Sequence, residues 1–315
     1  MDFRIYPLTD TARLSELCQL FAKGLAETVP EQWLWKHYTP NDLPEGQILV
    51  AEDENDVLRA MFAMQPAWYR KGEERILLVQ TEDLVIDPEA RGQGLMRKLY
   101  DHTMDFYRQQ GATAITAFSC NDASYPIFLK YGAKNLGDIG ALTTPKSMLP
   151  HIGNSNRLRK KEWELSCSDT MPQDIFILPG TDTFKMEKTP RTLAWKFTEN
   201  PDQKYQWLTI RRKGELAGWL VFYVNKGRLR SAVNICDWEL QNWVEPEMLS
   251  HAVRMLQGKG NWVTLWGRQS EADRKRWQAA GLTQEEHHPD HFVFHGTLDQ
   301  TPPAHWHITK LDSDN

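Results

Sequence analysis

Two adjacent carboxylates, Glu82 and Asp83, interrupt an extended apolar run from Ile76 to Ile86. A carboxylate there can take the proton from an ammonium group, directly or through water, and so prepare an amine to attack. The period of a strand sends Glu82 and Asp83 to opposite faces, so at most one is expected to point into a cleft. A salt-bridged or edge-facing role is the competing reading. The wider stretch Gln80 to Met96 adds a second kind of chemistry. Pro88 stops the strand by removing an N–H, and Arg91-Gly92-Gln93-Gly94 leads into a helix expected over Leu95 to Gln109. Two glycines let the chain turn and a ligand approach closely. The unpaired N–H groups and positive end of the helix, with the charge of Arg91, suit a pyrophosphate. On spacing alone a tight structural turn stays equally open, because Met96 and Arg97 replace the third glycine of a dinucleotide fingerprint.

These groups need a scaffold, and the chain supplies its signals in order. Phe3 to Tyr6 reads as a short strand, followed by a helix carrying Leu14, Leu17, Leu20 and Phe21. Ile48 to Glu52 and Leu58 to Met64 form a hairpin across Asp53 to Asp56, and Ile76 to Ile86 is the long strand entering the glycine loop. After the helix that ends at Gly111 come a strand at Ala114 to Phe118, a helix from Ser124 to Lys130, and a return strand at Leu136 to Leu142.

From about Leu149 the organisation repeats. Thr192-Leu193-Ala194-Trp195-Lys196-Phe197 mirrors Trp33-Leu34-Trp35-Lys36-His37, Trp195 standing 160 positions after Trp35. Strands follow at Trp207 to Arg211, Leu216 to Val224, Ala232 to Trp238 and Trp262 to Trp266, with helices at Pro246 to Leu256 and Glu271 to Ala280. The expected division is 1–148, a linker at 149–180, and 181–315. The halves differ chemically: after Cys236-Asp237-Trp238 the second has the acidic run Glu239 to Glu247 and no Arg-Gly-x-Gly. One phosphate site, in the first half, is expected, with the second half shaping an acceptor pocket or stabilising the pair.

The segment V-x-x-P-x-x-R-G-x-G-L, followed by a helix, a strand and Asn121 to Gly132, resembles the GNAT acyltransferases. The resemblance implies a mixed, mostly antiparallel sheet flanked by helices, an α/β fold, here in two tandem lobes. It implies that Arg91, Gly92, Gln93, Gly94, Leu95 and Met96 hold the pyrophosphate of acyl-coenzyme A, with Met96 departing from the usual small residue. It further implies that the strand Ala114 to Phe118 splays to admit the pantetheine arm and that Asn121 contacts that arm. Phe128 and Gly132 fall where the family usually has a tyrosine and a glycine. Bacterial two-lobed members are the nearest in pattern, through Asn121, Ser124 and Tyr125 and through Trp306, Thr309, Asp312, Ser313 and Asp314.

In this frame Glu82 or Asp83 is the base, a backbone N–H near Val85 or Ile86 faces the developing oxyanion, and Tyr125 is the candidate acid for the thiolate, since Phe128 has no proton to give. A packing tyrosine is the competing reading. The expected activity is transfer of an acyl group, acetyl by expectation, from the coenzyme to a primary amine on a small molecule, by direct attack in a ternary complex. Amino sugars, nucleotide sugars, polyamines, amino acids and antibiotics are all admissible acceptors. Two rivals stand beside it: a catalytically silent acyl-coenzyme A-binding regulatory module, suggested by Phe128 and Met96, and a peptidoglycan-type aminoacyl transferase, which should carry a more basic surface.

Composition sets the outer bounds. The 315 residues, 41% hydrophobic and 25% charged with a net charge of −5, describe a globular chain with no global attraction for nucleic acid or anionic membrane. Cys18, Cys120, Cys167 and Cys236 lack CxxC spacing, so neither a disulfide framework nor a zinc ribbon is expected. His287, His288, His291 and His295 cluster, but with Asp290 as the one obvious further ligand the expectation is no metal. Without a signal-like N-terminal segment or an apolar stretch of roughly 18 residues, the expected setting is the cytoplasm, as a monomer or homodimer.

Overall fold

The computed structural model describes residues 2–9, 11–25, 35–39, 41–120, 122, 124–145, 162–227, 231–296 and 306–312. The first half runs β1 (Arg4–Pro7), α1 (Leu14–Leu25), α2 (Trp35–Tyr38), β2 (Gln47–Glu52), β3 (Leu58–Lys71), β4 (Glu74–Ile86), α3 (Leu95–Gln109), β5 (Ala114–Cys120), α4 (Tyr125–Lys130) and β6 (Lys134–Pro145). The second runs β7 (Trp163–Ser168), β8 (Lys185–Met186), α5 (Pro190–Leu193), β9 (Gln206–Arg212), β10 (Glu215–Lys226), β11 (Ser231–Leu240), α6 (Pro246–Gln257), β12 (Trp262–Trp266), α7 (Glu271–Ala279) and β13 (Gln284–Gly296). The strand β7 falls within the span assigned above to the linker.

The described strands join in one sheet, ordered β1-β2-β3-β4-β5-β13-β6-β12-β11-β10-β9-β7, with β8 paired to β3. All neighbours are antiparallel except β4 with β5 and β11 with β12. Each half thus repeats one plan, four antiparallel strands and then a parallel fifth. The halves are joined by exchange: β13 of the second half pairs with β5 of the first, and β6 of the first pairs with β12 of the second. The fold class expected from sequence, a mostly antiparallel sheet flanked by helices in two lobes, is the one observed.

Helical period places the covering layers. Leu17, Leu20 and Phe21 of α1 bury against Ile48, Val50, Met61 and Val85, and Leu95, Leu99, Tyr100 and Met104 of α3 bury against Leu49, Val79 and Ile115. Each fully buried side chain of this size contributes about 1.5–3 kcal/mol. Gly111, at φ +81°, turns the chain out of α3 toward β5. Between the halves lies a third core with Tyr69, Phe118, Trp207, Trp219, Phe292 and Trp306. Trp207, Trp219, Trp238, Trp266, Trp277 and Trp306 are buried packing residues, whereas Trp243 is exposed. No disulfide joins the cysteines, and no described helix is long and apolar enough to cross a membrane.

Candidate active site

The loop after β4 is built before the helix begins. Asp87 caps the short turn Pro88–Ala90 by accepting from the Glu89 N–H, and its carboxylate is held by Lys23 at 2.9 Å and Arg59 at 2.8 Å. Those cations outweigh the cost of its burial and keep its pKa below the usual carboxylate range. Gly92 and Gly94 then take φ values of +76° and +72°, where glycine alone is unstrained. A Cβ at either would meet nothing within 4 Å, so the space above the loop is open. The helix α3 starts at Gly94 with no side-chain cap and no acid in its first turn. Its first amide N–H groups and dipole are thus available to an anion. Arg91 is exposed beside them and donates to the carbonyls of Ile86 and Gly24. Leu95 and Met96 are buried in the α3 core, so the bulk of Met96 points away from the loop. Gln93 donates to the Glu89 carbonyl. The cradle fits a pyrophosphate by these features.

Beyond the cradle the sheet opens. The strands β4 and β5 pair from Leu78↔Ala114 to Gln80↔Thr116 and then part, β5 continuing against β13. The edge of β4 from Thr81 to Ile86, including Val85 and Ile86, therefore faces an opening rather than a strand, as the splay expected after Ala114 requires.

At the start of this opening the expected alternation fails. In the pairing of β3 with β4, Met64 faces Thr81 and Phe62 faces Leu84, so Glu82 and Asp83 together oppose the one residue Ala63. This β-bulge re-aims the strand. Both carboxylates reach the same histidine: His37 Nδ1 is 3.4 Å from Glu82 and Nε2 is 3.1 Å from Asp83. Lys36 Nζ lies 3.1 Å from Asp83 and 4.0 Å from Glu82. The expectation that only one carboxylate could point inward is corrected by the extra residue. Sequence reasoning also missed Lys36 and His37 as site residues, although both lie in the motif repeated around Trp195. Donor atoms of His37, Glu82 and Asp83 lie within 4.8 Å of one another and could hold a cation; Lys36 already brings a positive charge to that position.

The remaining predicted residues gather on the other side of β5. Tyr125 accepts a hydrogen bond from Asn135 at 3.0 Å and stacks on His291 with centroids 3.9 Å apart. His291, from the exchanged strand β13, lies between Asp138 at 2.7 Å and Asp122 at 3.3 Å. Burial opposes its charge, but the two carboxylates outweigh burial and raise its pKa. Ser124 Oγ is 3.2 Å from Cys120 Sγ, and Phe128 is buried edge-on to Tyr100. Asn121 lies outside the described residues.

Two cavities lead toward the carboxylates. An outer one of about 480 Å³ is lined by residues including Pro7, His37, Asn41, Glu45 and Gln47. An inner one of about 20 Å³ reaches Gln80, Glu82, Phe118, Trp195 and Lys196. Leu43 and Gln65 line both. The inner wall draws on both halves of the chain.

Residues 14–133 match the model of the acetyltransferase (GNAT) family. No protein of curated function matches the sequence. Among solved structures, a conserved protein of unknown function from Enterococcus faecalis, described as a probable N-acyltransferase, is similar with a TM-score of 0.68 at 10% identity, over 94% of this chain and 73% of that one. A GCN5-related N-acetyltransferase from Anabaena variabilis is similar with a TM-score of 0.65 at 14% identity, over 93% and 72%. A tandem GNAT protein from the clavulanic acid biosynthesis pathway gives a TM-score of 0.54 at 11% identity, over 94% and 98%. At these identities the structures speak for the fold, which is that of tandem GNAT proteins. The match over residues 14–133 thus falls on the half of the chain that carries the splayed strands and the glycine cradle before α3.

Proposed function

We propose that the protein is an N-acyltransferase that moves an acyl group, acetyl in our reading, from acyl-coenzyme A to a primary amine on a small molecule, by direct attack in a ternary complex. The observation that carries this reading is the bulge that turns Glu82 and Asp83 together onto His37 at the mouth of the β4–β5 opening.

The coenzyme, when bound, supplies the acyl group as a reactive thioester. Arg91 and the N–H groups from Gly92 to Met96 would hold its pyrophosphate, and the open edge of β4 offers backbone donors to the acyl carbonyl. An incoming ammonium must lose a proton, and the Glu82–Asp83–His37 cluster accepts it. Lys36 balances the negative pair and restrains it. Tyr125 is the candidate donor to the leaving thiolate: Asn135 donates to its oxygen, which leaves the phenolic proton to be given. The acceptor enters through the outer cavity, and the second half supplies part of its inner wall. Amino sugars and nucleotide sugars stay within this proposal, as do a cytoplasmic setting, a monomeric or dimeric state, and independence of metal, nucleic acid and membrane.

Calorimetry with acetyl-coenzyme A, followed by thiol release against a panel of amines, tests the reading. Binding with amine-dependent thiol release is expected. Binding without release from any amine would favour the silent module suggested by Phe128, and no binding at millimolar ligand would overturn both readings.

A further inference from the structure

One side chain of the second half reaches the candidate acid of the first. His291 stands on β13, the strand exchanged between the halves, opposite Cys120 of β5 and Asp138 of β6. Both ladders shift register between His291 and Val293, and the ladder with β6 shifts again between His287 and Asp290. Such irregularities re-aim a side chain. The imidazole here lies on the ring of Tyr125, with centroids 3.9 Å apart and planes 28° from parallel. Tyr125 opens α4, a helix of six residues, and its oxygen accepts from Asn135 at 3.0 Å. A ring at such an end can change rotamer unless a neighbour covers its face. His291 covers it and is itself fixed, Nδ1 lying 2.7 Å from Asp138 and Nε2 3.3 Å from Asp122. Only the imidazolium has an N–H for each carboxylate, and the neutral ring must release one of them. Among the described residues, Asp138 on β6 and Asp122 between β5 and α4 are the charged groups that set its protonation, and they raise its pKa against the effect of burial. Arg268, after β12, donates to the Asp138 backbone carbonyl at 3.0 Å.

We infer, on the acyl-transfer reading above, that His291 is a positioning residue: anchored at both ring nitrogens, it holds the Tyr125 ring in the orientation from which the phenol protonates the departing thiolate. Its own N–H groups are committed to Asp138 and Asp122, so it acts through Tyr125 rather than as the acid. The phenol gives its proton to the thiolate sulfur, and the phenolate left behind regains one from solvent. Loss of the His291 proton frees one anchor and loosens the ring. The exchanged strand thereby makes turnover in the first half depend on the second.

The test uses the full chain with acetyl-coenzyme A and glucosamine, diaminobutane or lysine, rates being taken with whichever amine turns over fastest. His291→Ala should lower kcat by about 10- to 100-fold, the cost of a misplaced catalytic group, with the KM for the amine and the affinity for the coenzyme unchanged. Tyr125→Phe should lower kcat as well, and adding His291→Ala to it should cost nothing further, because the two act as one unit. In the wild type kcat should carry a falling limb above pH about 6.5. Asp138→Asn keeps the side-chain shape and should move that limb to lower pH, and it carries the test should His291→Ala fail to fold in circular dichroism. Full kcat in folded His291→Ala overturns the assignment, as do losses that add in the double variant or a limb that stays in place in Asp138→Asn. Absence of thiol release by the wild type with every amine would instead overturn the acyl-transfer reading itself.

Discussion

The sheet opens twice, once in each half, and the two openings have opposite fates. In the first half β4 and β5 part after Gln80. In the second, β11 and β12 part after Ile235, and a bulge at Cys236 repeats the one at Glu82 and Asp83. There the chain fills its own opening. The segment Trp306–Asp312 runs between the parted strands, the Lys310 N–H donating to the Cys236 carbonyl and Ile308 exchanging two backbone bonds with Arg268. The carboxylates of that bulge are closed off as well: Lys188 donates to both oxygens of Asp237 at 2.7–2.8 Å, and Lys185 donates to Glu239. Burial alone would lower the pKa of Lys188, but Asp237 and Glu239 outweigh it and hold the ammonium charged. The helix ends differ in the same sense, since α6 begins at Glu245-Pro246-Glu247 where α3 begins at a bare glycine. One backbone device thus stays open in one half and is filled by the chain itself in the other, and the residues set against it decide which.

The contrast can be broken deliberately. The largest expected effect is on coenzyme binding: Gly94→Trp fills the open space over the loop and should abolish binding in calorimetry, while circular dichroism remains native. Next is the chemistry. Glu82→Gln and Asp83→Asn should each lower kcat, the stronger of the two by about 10²–10⁴-fold, and His37→Phe, which copies the Phe197 of the second half, should also lower it. Full activity in both carboxylate variants would remove the proton-acceptor role. In the second half the same class of change should act on stability. Lys188→Met leaves Asp237 and Glu239 buried beside an apolar group and should cost about 3–5 kcal/mol in urea unfolding. Trp306→Ala should cost about 3–5 kcal/mol by opening a cavity in the shared core. The smallest effect is on pH. Burial, with Lys185 and Lys188 nearby, holds His307 well below its usual pKa. The unfolded chain therefore binds a proton below pH about 6.5 that the folded chain refuses, and stability should fall with decreasing pH by up to about 1.4 kcal/mol per pH unit. His307→Phe should flatten that slope.

Local periodicity made much of this legible in sequence. The helix Leu95–Gln109 and the strand Trp262–Trp266 carry the bounds expected of them, because apolar spacing and terminal glycines are encoded within a few residues. The glycine cradle was legible for the same reason. The bulge at Glu82 and Asp83 was not, since an extra residue in a ladder is defined by the partner strand. Nor was the meeting of His37 with Asp83, which spans 46 positions. The exchange of β6 and β13 likewise depends on long-range pairing, and it brings His291 to Tyr125 across 166 positions of chain. The filling of the second opening was foreshadowed only by the missing glycines after Trp238.

The most direct test of the central claim is the number of coenzyme molecules bound per chain. Titration of the full chain with acetyl-coenzyme A should give one site, lost in Gly94→Trp and retained in Lys188→Met under conditions where that variant is folded. Two sites per chain, or binding that survives Gly94→Trp, would contradict the account.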